Sequence, residues 1–232
     1  TYAQDVQNSR RMSQHMRITR TVGVSDITID YHSPLVKGRK IFGGIVPYDF
    51  VVDGKEYPWR AGSNNRTTIE LEHDALINGN KLAAGKYGLV VLVSEQDWTF
   101  IFSSNTSWGA FQYTPENDVL RVKVATERRS FQEWLSYSFV DPEAEAANVE
   151  LRWADTSAKF KISLDVSANI ISDLNQKEER TAGDYRILAI EHLQKDPHAA
   201  QLALTYLDSA LNKVELEDER MRQYETFAIT IL

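Results

Sequence analysis

The chain is organised around one stretch, which reads Tyr31-His32-Ser33-Pro34-Leu35-Val36-Lys37-Gly38-Arg39-Lys40-Ile41-Phe42-Gly43-Gly44-Ile45-Val46-Pro47-Tyr48. After an interruption it resumes as Trp59-Arg60-Ala61-Gly62-Ser63-Asn64-Asn65-Arg66-Thr67-Thr68. Gly and Pro fix unusual backbone angles, while Arg, Asn and Trp offer hydrogen-bond donors and a flat face. This dense mixture predicts a shaped loop that is suited to hold a ligand.

The sequence on both sides of this stretch alternates in the manner of β-strands. Ile27, Ile29 and Tyr31 share one face, and polar residues take the other. Turn signals such as Asn78-Gly79 separate further runs of this kind. The predicted strands are Met16–Val22, Val24–Tyr31, Thr67–Glu72, Lys86–Val93, Trp98–Ser103, Val119–Thr126, Trp134–Val140, Asn148–Ala154 and Lys159–Val166.

Short alternating strands joined by turns are typical of a mainly β fold. We predict an antiparallel β-sandwich or a flattened barrel. Inside the interruption, Asp53-Gly54 predicts a tight hairpin turn. Because Trp98, Trp134 and Trp153 lie in predicted strands, all three are expected in the core.

After Val166 the pattern becomes helical. Apolar residues recur at helical spacing, and only Gly183 and Pro197 interrupt helix-forming sequence. We therefore expect a polar segment over 1–15, a β-sandwich domain over 16–166 and three or four helices over 167–232. Asp196-Pro197 predicts the start of one helix, and residues 199–210 have the texture of a helical-hairpin repeat.

The composition excludes several classes of protein and site. The 26 Lys and Arg against 33 Asp and Glu give a net charge of −7, which argues against nucleic-acid binding. No apolar run approaches a membrane span, so no transmembrane segment is predicted. The absence of cysteine excludes disulfides and zinc–thiolate sites. Thr1-Tyr2-Ala3 would suit the end of a removed signal peptide, which favours a periplasmic or secreted protein.

Motifs that carry known chemistry are missing from the sequence. There is no nucleophile elbow, phosphate-binding loop, zinc-protease motif or calcium loop, so no catalytic residue, metal or cofactor is predicted. The densest titratable cluster is Glu70, Glu72, His73 and Asp74. Glu70 and Glu72 would share one strand face, which could suit a hard cation, but a solvated outer face fits them better.

The cations of the opening stretch indicate a binding site. They have almost no acid nearby in sequence, so they could hold a small anion or carbohydrate beside an aromatic stacking platform. Alternatively, Arg60 is an internal strut that bonds carbonyl groups and a strand acid such as Asp30. The candidate ligand-binding residues are Arg39, Tyr48, Trp59, Arg60, Asn64 and Trp108.

These motifs, in this order, resemble those of a bacterial family known as domain of unknown function 2911. The resemblance spans roughly residues 16–166 and implies an exported protein of Bacteroidetes-type bacteria, in some members followed by helical repeats. It implies no activity, cofactor or catalytic residue. This chain departs from the family pattern where Asp49 replaces a Gly and where Phe50 to Pro58 lengthen the link. The resemblance rests on Val22 to Tyr31, Pro34 to Arg39, Ile41 to Gly43, Val46 to Tyr48, Trp59 to Asn64, Ala84 to Leu89, Trp98 to Ile101 and Trp108 to Ala110.

The sequence leaves three functional hypotheses open. The leading one is a non-catalytic binding or interaction module of the cell envelope, in which the helical tail could contact a protein partner. An alternative is a hydrolase for an envelope glycan or ester, which needs a hidden acid–base pair such as Asp30 with His32 or Glu70 with His73. The third is a structural β domain whose function lies in the helical tail.

Overall fold

The computed structural model describes residues 13–107 and 113–214, in which eleven strands precede three α-helices. One compact unit ends at Leu164, and a second begins at Asp165. The strands are β1 (Gln14–Val22), β2 (Ser25–Ser33), β3 (Val51–Val52), β4 (Lys55–Glu56), β5 (Thr67–Leu71), β6 (Ala75–Ile77), β7 (Asn80–Leu82), β8 (Gly85–Val93), β9 (Asp97–Ser103), β10 (Asp118–Glu143) and β11 (Ala146–Ser163). The helices are α1 (Val166–Gln176), α2 (Ala182–Lys195) and α3 (Ala200–Lys213).

Nine of these strands form one antiparallel sheet in the order β1-β2-β5-β8-β9-β10-β11-β6-β7. The first part of β10 pairs with β9, and from Thr126 onward β10 pairs with β11. Further along, the amide of Leu135 donates to the carbonyl of Pro34 at 3.0 Å, so β10 also contacts the segment that follows β2. The sheet therefore curls over its own core but does not close. The predicted mainly β, antiparallel fold is confirmed.

The core of the β unit follows the predicted alternation and is rich in aromatic rings. Ile27, Ile29 and Tyr31 are buried as a period-two face of β2. Phe42 lies against Trp98, with ring centroids 4.8 Å apart. Such rings each bury a large apolar area, and their tilted contacts add to the stabilisation. The core is therefore built jointly by the sheet and by the connection between β2 and β5.

Strands β10 and β11 are longer than the sequence predicted. Each of them merges two predicted strands into one. Arg128 pairs with Thr156, and Ser136 pairs with Arg152. Between these two pairs the chain advances by eight residues in β10 but by only four in β11. The extra residues bulge out of the ladder, which re-aims their side chains.

This distortion corrects one prediction about the core. Trp98 and Trp153 are buried as expected, with 1% and 3% of their surface exposed. Trp134 is 40% exposed, so its predicted burial is wrong. The physical reason is the pair of bulges around it, because the alternation of inner and outer faces fails wherever a strand gains residues.

In the helical unit, caps and small apolar residues support three helices. Asp165 caps α1 by accepting the Ala168 amide at 2.9 Å. Thr181 and Asp184 form a reciprocal capping box at the start of α2. The ammonium of Lys177 lies 2.7 Å from Asp184 and, with these bonds, lowers the pKa of that carboxyl to about 2.

The rest of the helical unit is a packed helical hairpin. Helices α2 and α3 meet at a cluster of buried Ala189, Ala203 and Leu207. Helix α3 begins at Ala200, three residues after the Pro197 that was expected in its first turn. No helix in the described part of the chain is long and apolar enough to cross a membrane.

Candidate functional site

The connection between β2 and β5 pairs with the part of β8 that lies beyond the start of β5. Strand β5 pairs with β8 only as far as Leu89. Beyond it, Trp59 and Val91 exchange two backbone hydrogen bonds of 2.8 Å, and the amide of Asp49 donates to Val93 at 2.9 Å. These bonds anchor both ends of residues 49–59 to the sheet, so the segment between them is held at a fixed place.

That segment forms the hairpin predicted from Asp53-Gly54. Both turn residues have positive φ, 50° and 75°, as a two-residue hairpin turn requires. Strands β3 and β4 pair on either side of the turn. At the base, the amide of Tyr57 donates to Phe50 at 2.9 Å, and their rings make an edge contact at 6.0 Å. The hairpin is therefore a defined element and not an irregular loop.

A pocket of about 320 Å³ lies between this hairpin and the last residues of β8. Eleven of the fourteen residues that line it are apolar or aromatic. The three exceptions are Asp49, Glu56 and Arg60. A largely apolar cavity with a few polar groups is the usual form of a small-molecule site, and this volume is at the lower end of the usual range.

Arg60 is the cation of the pocket, and it is half-buried. Its guanidinium donates one hydrogen bond, from Nη1 to the Asn64 carbonyl at 3.1 Å, and pairs with no carboxylate in the described residues. Burial lowers the pKa of Arg60, because desolvation disfavours its charged form. Asp30, the example of a strand acid in the strut alternative, accepts a 2.9 Å bond from His15. Arg60 thus braces the turn through one carbonyl, and within the described residues its other N–H donors are available to a ligand.

Glu56 has a partner outside the pocket. Arg121 on β10 donates to Glu56 at 2.8 Å and also binds Asp118 and Tyr113, each at 2.8 Å. Burial and the bond to Asp118 raise the pKa of Tyr113 to about 12, so its hydroxyl stays protonated at neutral pH. This network neutralises Glu56 and ties the hairpin to the sheet.

The predicted site residues do not gather in one place. Trp59 and Arg60 line the pocket. Trp59 also stacks on Trp153 at 5.9 Å and donates its ring N–H to Gly62 at 3.1 Å, so one of its faces belongs to the core. Trp108 lies outside the described residues.

The remaining three candidates do not line the pocket. Tyr48 packs on Gly43, where an added Cβ would lie 2.7 Å from the ring. Asn64 donates to Ser13 at 3.5 Å while its carbonyl accepts from Arg60. The guanidinium of Arg39 donates to the main-chain carbonyls of Leu35 and Val36, neither of which lines the pocket.

Sequence reasoning missed most of the apolar lining. Phe50, Val51 and Tyr57 on the hairpin and Val91 and Val93 on β8 all face the pocket. The available signal was the run Phe50-Val51-Val52 before Asp53-Gly54, since three apolar residues at a hairpin tip are unusual unless they contact something.

The acid–base pairs proposed for a hydrolase are engaged elsewhere. Asp30 binds His15, and the ring of His73 bonds to Ser25 at 3.0 Å. Glu70 lies 4.0 Å from both Arg17 and Lys86 on the outer surface. None of these acids and histidines lines the pocket, and the described residues hold no cluster of acids and histidines suited to a metal ion.

Comparison with known proteins identifies a family but no activity. Residues 13–162, more than half of the 232-residue chain, match the family model described as protein of unknown function (DUF2911). The match covers the β unit and confirms the resemblance seen in its motifs. No curated protein and no solved structure matches the chain.

Proposed function

Because the chain belongs to the DUF2911 family, whose description assigns no activity, we propose a function from the pocket itself. The protein is a non-catalytic binding module, and the hairpin pocket takes a ligand with an apolar body and an anionic group. One observation carries this proposal. A half-buried guanidinium, Arg60, lines an apolar pocket with one hydrogen bond and no carboxylate partner among the described residues.

The chemistry of the lining selects this class of ligand. A guanidinium presents its donors in a planar fork that matches a carboxylate, and the interaction is stronger where water is partly excluded. Phe50, Tyr57 and Val91 offer apolar contact area for the rest of the ligand. A carbohydrate would need more hydrogen-bonding groups than this lining provides, so the pocket favours an aryl or alkyl carboxylate.

The same lining supports binding and not bond cleavage. Among the described residues that line it there is no Ser, Thr, Cys, His or Lys, so it lacks a hydroxyl or thiol nucleophile beside a histidine or lysine base. Of its two acids, Glu56 is held by Arg121 in a network on the outside of the hairpin. A hydrolase has no support in the described residues.

Three matched ligands test the proposal by isothermal calorimetry. They are 4-phenylbutyrate, 4-phenylbutan-1-ol and 4-phenylbutylamine, which share an aryl chain and differ in charge. We expect the carboxylate to bind about tenfold tighter than the alcohol, which corresponds to one charge-assisted hydrogen bond, and the amine to bind weakest. Equal affinity for the carboxylate and the alcohol would contradict a role for Arg60.

Two variants show where the carboxylate binds. Arg60→Met keeps an apolar side chain of similar length and should remove the preference for the carboxylate. Arg39→Gln is the matched control, because Arg39 also donates only to main-chain carbonyls but lies outside the pocket. A folded Arg60→Met protein that binds 4-phenylbutyrate unchanged would rule out this site.

We extend the proposal to the location of the protein, which the family resemblance supports. A module of this family is expected in the periplasm or outside the cell, as a part of the cell envelope. Fractionation of the native host, with immunodetection of the chain, checks this expectation. Recovery in the cytoplasmic fraction alone would contradict it.

A further inference from the structure

A second surface lies where β10 bulges, and it exposes two large aromatic rings. Phe131 is 64% exposed and Trp134 is 40% exposed. Both lie between Arg128 and Ser136, where β10 gains four residues over β11. Bulges often re-aim side chains at functional positions. The two exposed rings are three positions apart in the sequence, and exposed apolar surface on a folded domain can mark an interaction site.

The backbone of this segment has a structural role that does not depend on exposed rings. The bulges allow the amide of Val36 to bind Glu133 at 2.9 Å and that of Leu135 to bind Pro34 at 3.0 Å. These bonds need only main-chain atoms, so they place no requirement on the side chains. Smaller polar residues at Phe131 and Trp134 would serve the pairing equally well.

The same bonds bring the segment that carries two exposed cations next to β10. Leu35 pairs with Trp134 in a β-bridge, and Arg39 donates to the carbonyl of Leu35 at 2.6 Å. Lys40 follows Arg39 and is also exposed. Neither cation pairs with a carboxylate in the described part of the chain, unlike Arg128, which pairs with Asp155.

We propose that Arg39, Lys40, Phe131 and Trp134 form a docking surface for an acidic segment of a partner protein that also carries aromatic or apolar side chains. Aromatic residues and Arg are enriched at the energetic centres of protein interfaces. Glu133, between the two rings in sequence, already accepts the Lys37 amide at 2.7 Å. The exposed Arg39 and Lys40, which pair with no carboxylate in the described residues, favour an acidic partner by charge complementarity. An acidic polysaccharide would satisfy the cations but would leave Phe131 without an apolar contact. None of the four residues lines the hairpin pocket, so the two sites are separate.

Immobilised copolymers test the surface with the full chain in surface plasmon resonance. The probe is a random poly(Glu,Tyr) copolymer, compared with poly-Glu and with hyaluronate of similar length. We expect the poly(Glu,Tyr) copolymer to bind at least about fivefold tighter than either comparison polymer, and its affinity to fall as salt increases. Binding to hyaluronate that equals or exceeds binding to poly(Glu,Tyr) would overturn the protein partner in favour of a polysaccharide.

Side-chain variants locate the binding. Lys40→Glu and Phe131→Ala each change an exposed side chain and should each weaken poly(Glu,Tyr) binding about three- to tenfold. Lys81→Glu, on β7 at one edge of the sheet, is the matched charge control and should have little effect. An equal loss in Lys81→Glu would show a nonspecific charge effect, and unchanged binding in Phe131→Ala would remove the aromatic part of the surface. Thermal melts of each variant confirm that the protein is folded.

Discussion

The connection between β2 and β5 consists of two parts that differ in burial and, we propose, in role. Its inner part, residues 34–46 and 59–66, supplies side chains to the core, such as Phe42 at 7% exposure and the fully buried Ala61, while its turn over residues 37–40 is exposed. Its outer part, the hairpin of residues 49–58, stands outside the core, and Phe50 and Val51 are 43% and 56% exposed. The inner part thus supports the fold, while the hairpin forms one wall of the pocket.

The inner part has little space for change. An added Cβ on Gly62 would lie 2.9 Å from the Thr67 hydroxyl and 3.1 Å from the His32 carbonyl. The hydroxyl of Tyr137 reaches from β10 to the Ala61 carbonyl at 2.9 Å. The turn after Trp59 is therefore fixed from two sides, which explains why so distinctive a motif can be structural. The hairpin tip lacks such constraints, since a Cβ on Gly54 would meet nothing within 4 Å.

The largest expected effect is on folding, and it contrasts one phenylalanine from each part. Phe42→Ala removes a buried ring that contacts Trp59, Trp98 and Trp153. We expect it to lower the free energy of unfolding by about 3–5 kcal/mol, from lost burial and the cavity left behind. Urea denaturation followed by Trp fluorescence measures this change.

Phe50→Ala is the matched control for that variant. The same truncation at an exposed ring should cost less than about 1 kcal/mol, because little apolar area is withdrawn from water. If both variants lose similar stability, the hairpin is part of the core and the division of the connection into two parts is wrong.

The next effect is on binding. Replacing Val51–Glu56 by Asn-Gly would shorten the hairpin to a two-residue turn closed by the existing bond between Tyr57 and Phe50. We expect stability to change by no more than about 1 kcal/mol, since the removed residues are exposed and their one ion pair is on the surface. The affinity for 4-phenylbutyrate should fall about tenfold, because Val51 and Glu56 leave the pocket wall.

Calorimetry and a thermal melt of the shortened protein show whether the hairpin contributes to ligand binding, to stability or to both. Retained stability with weakened binding supports the assignment of ligand contact to the hairpin. A shortened protein that binds the carboxylate with unchanged affinity would show that Trp59 and Arg60 suffice without it.

Much of the fold could be predicted because local patterns agree with burial. The alternation of Ile27, Ile29 and Tyr31 predicted the buried face of β2, and the Asp53-Gly54 pair predicted the hairpin. The pattern failed at Trp134, where β10 gains residues to meet the segment after β2. A bulge of this kind is set by a long-range backbone contact, which no local period records.

The site could be predicted only in part, for a related reason. Trp59 and Arg60 were identified because their motif is unusual, and both line the pocket. In the described residues Arg60 pairs with no acid and Asp30 binds His15, and both outcomes depend on contacts between strands that the sequence does not show. The predicted cluster therefore divided, with Arg60 in the pocket and Arg39 beside the bulge of β10.

The smallest expected effect concerns the ion pair between Glu56 on the hairpin and Arg121 on β10. Glu56→Gln weakens the bond to Arg121, which keeps its other partners Asp118 and Tyr113. Because an exposed ion pair contributes at most about 1 kcal/mol, global stability should barely change. Local opening of the hairpin should increase instead, so the Tyr57 amide, which is bonded to Phe50, should exchange its hydrogen a few times faster.

Amide exchange followed by NMR measures this, with Glu116→Gln as the control at an exposed acid that makes no ion pair in the described residues. Unchanged exchange at Tyr57 would mean that the backbone bonds of Asp49 and Trp59 to β8 alone hold the outer part in place.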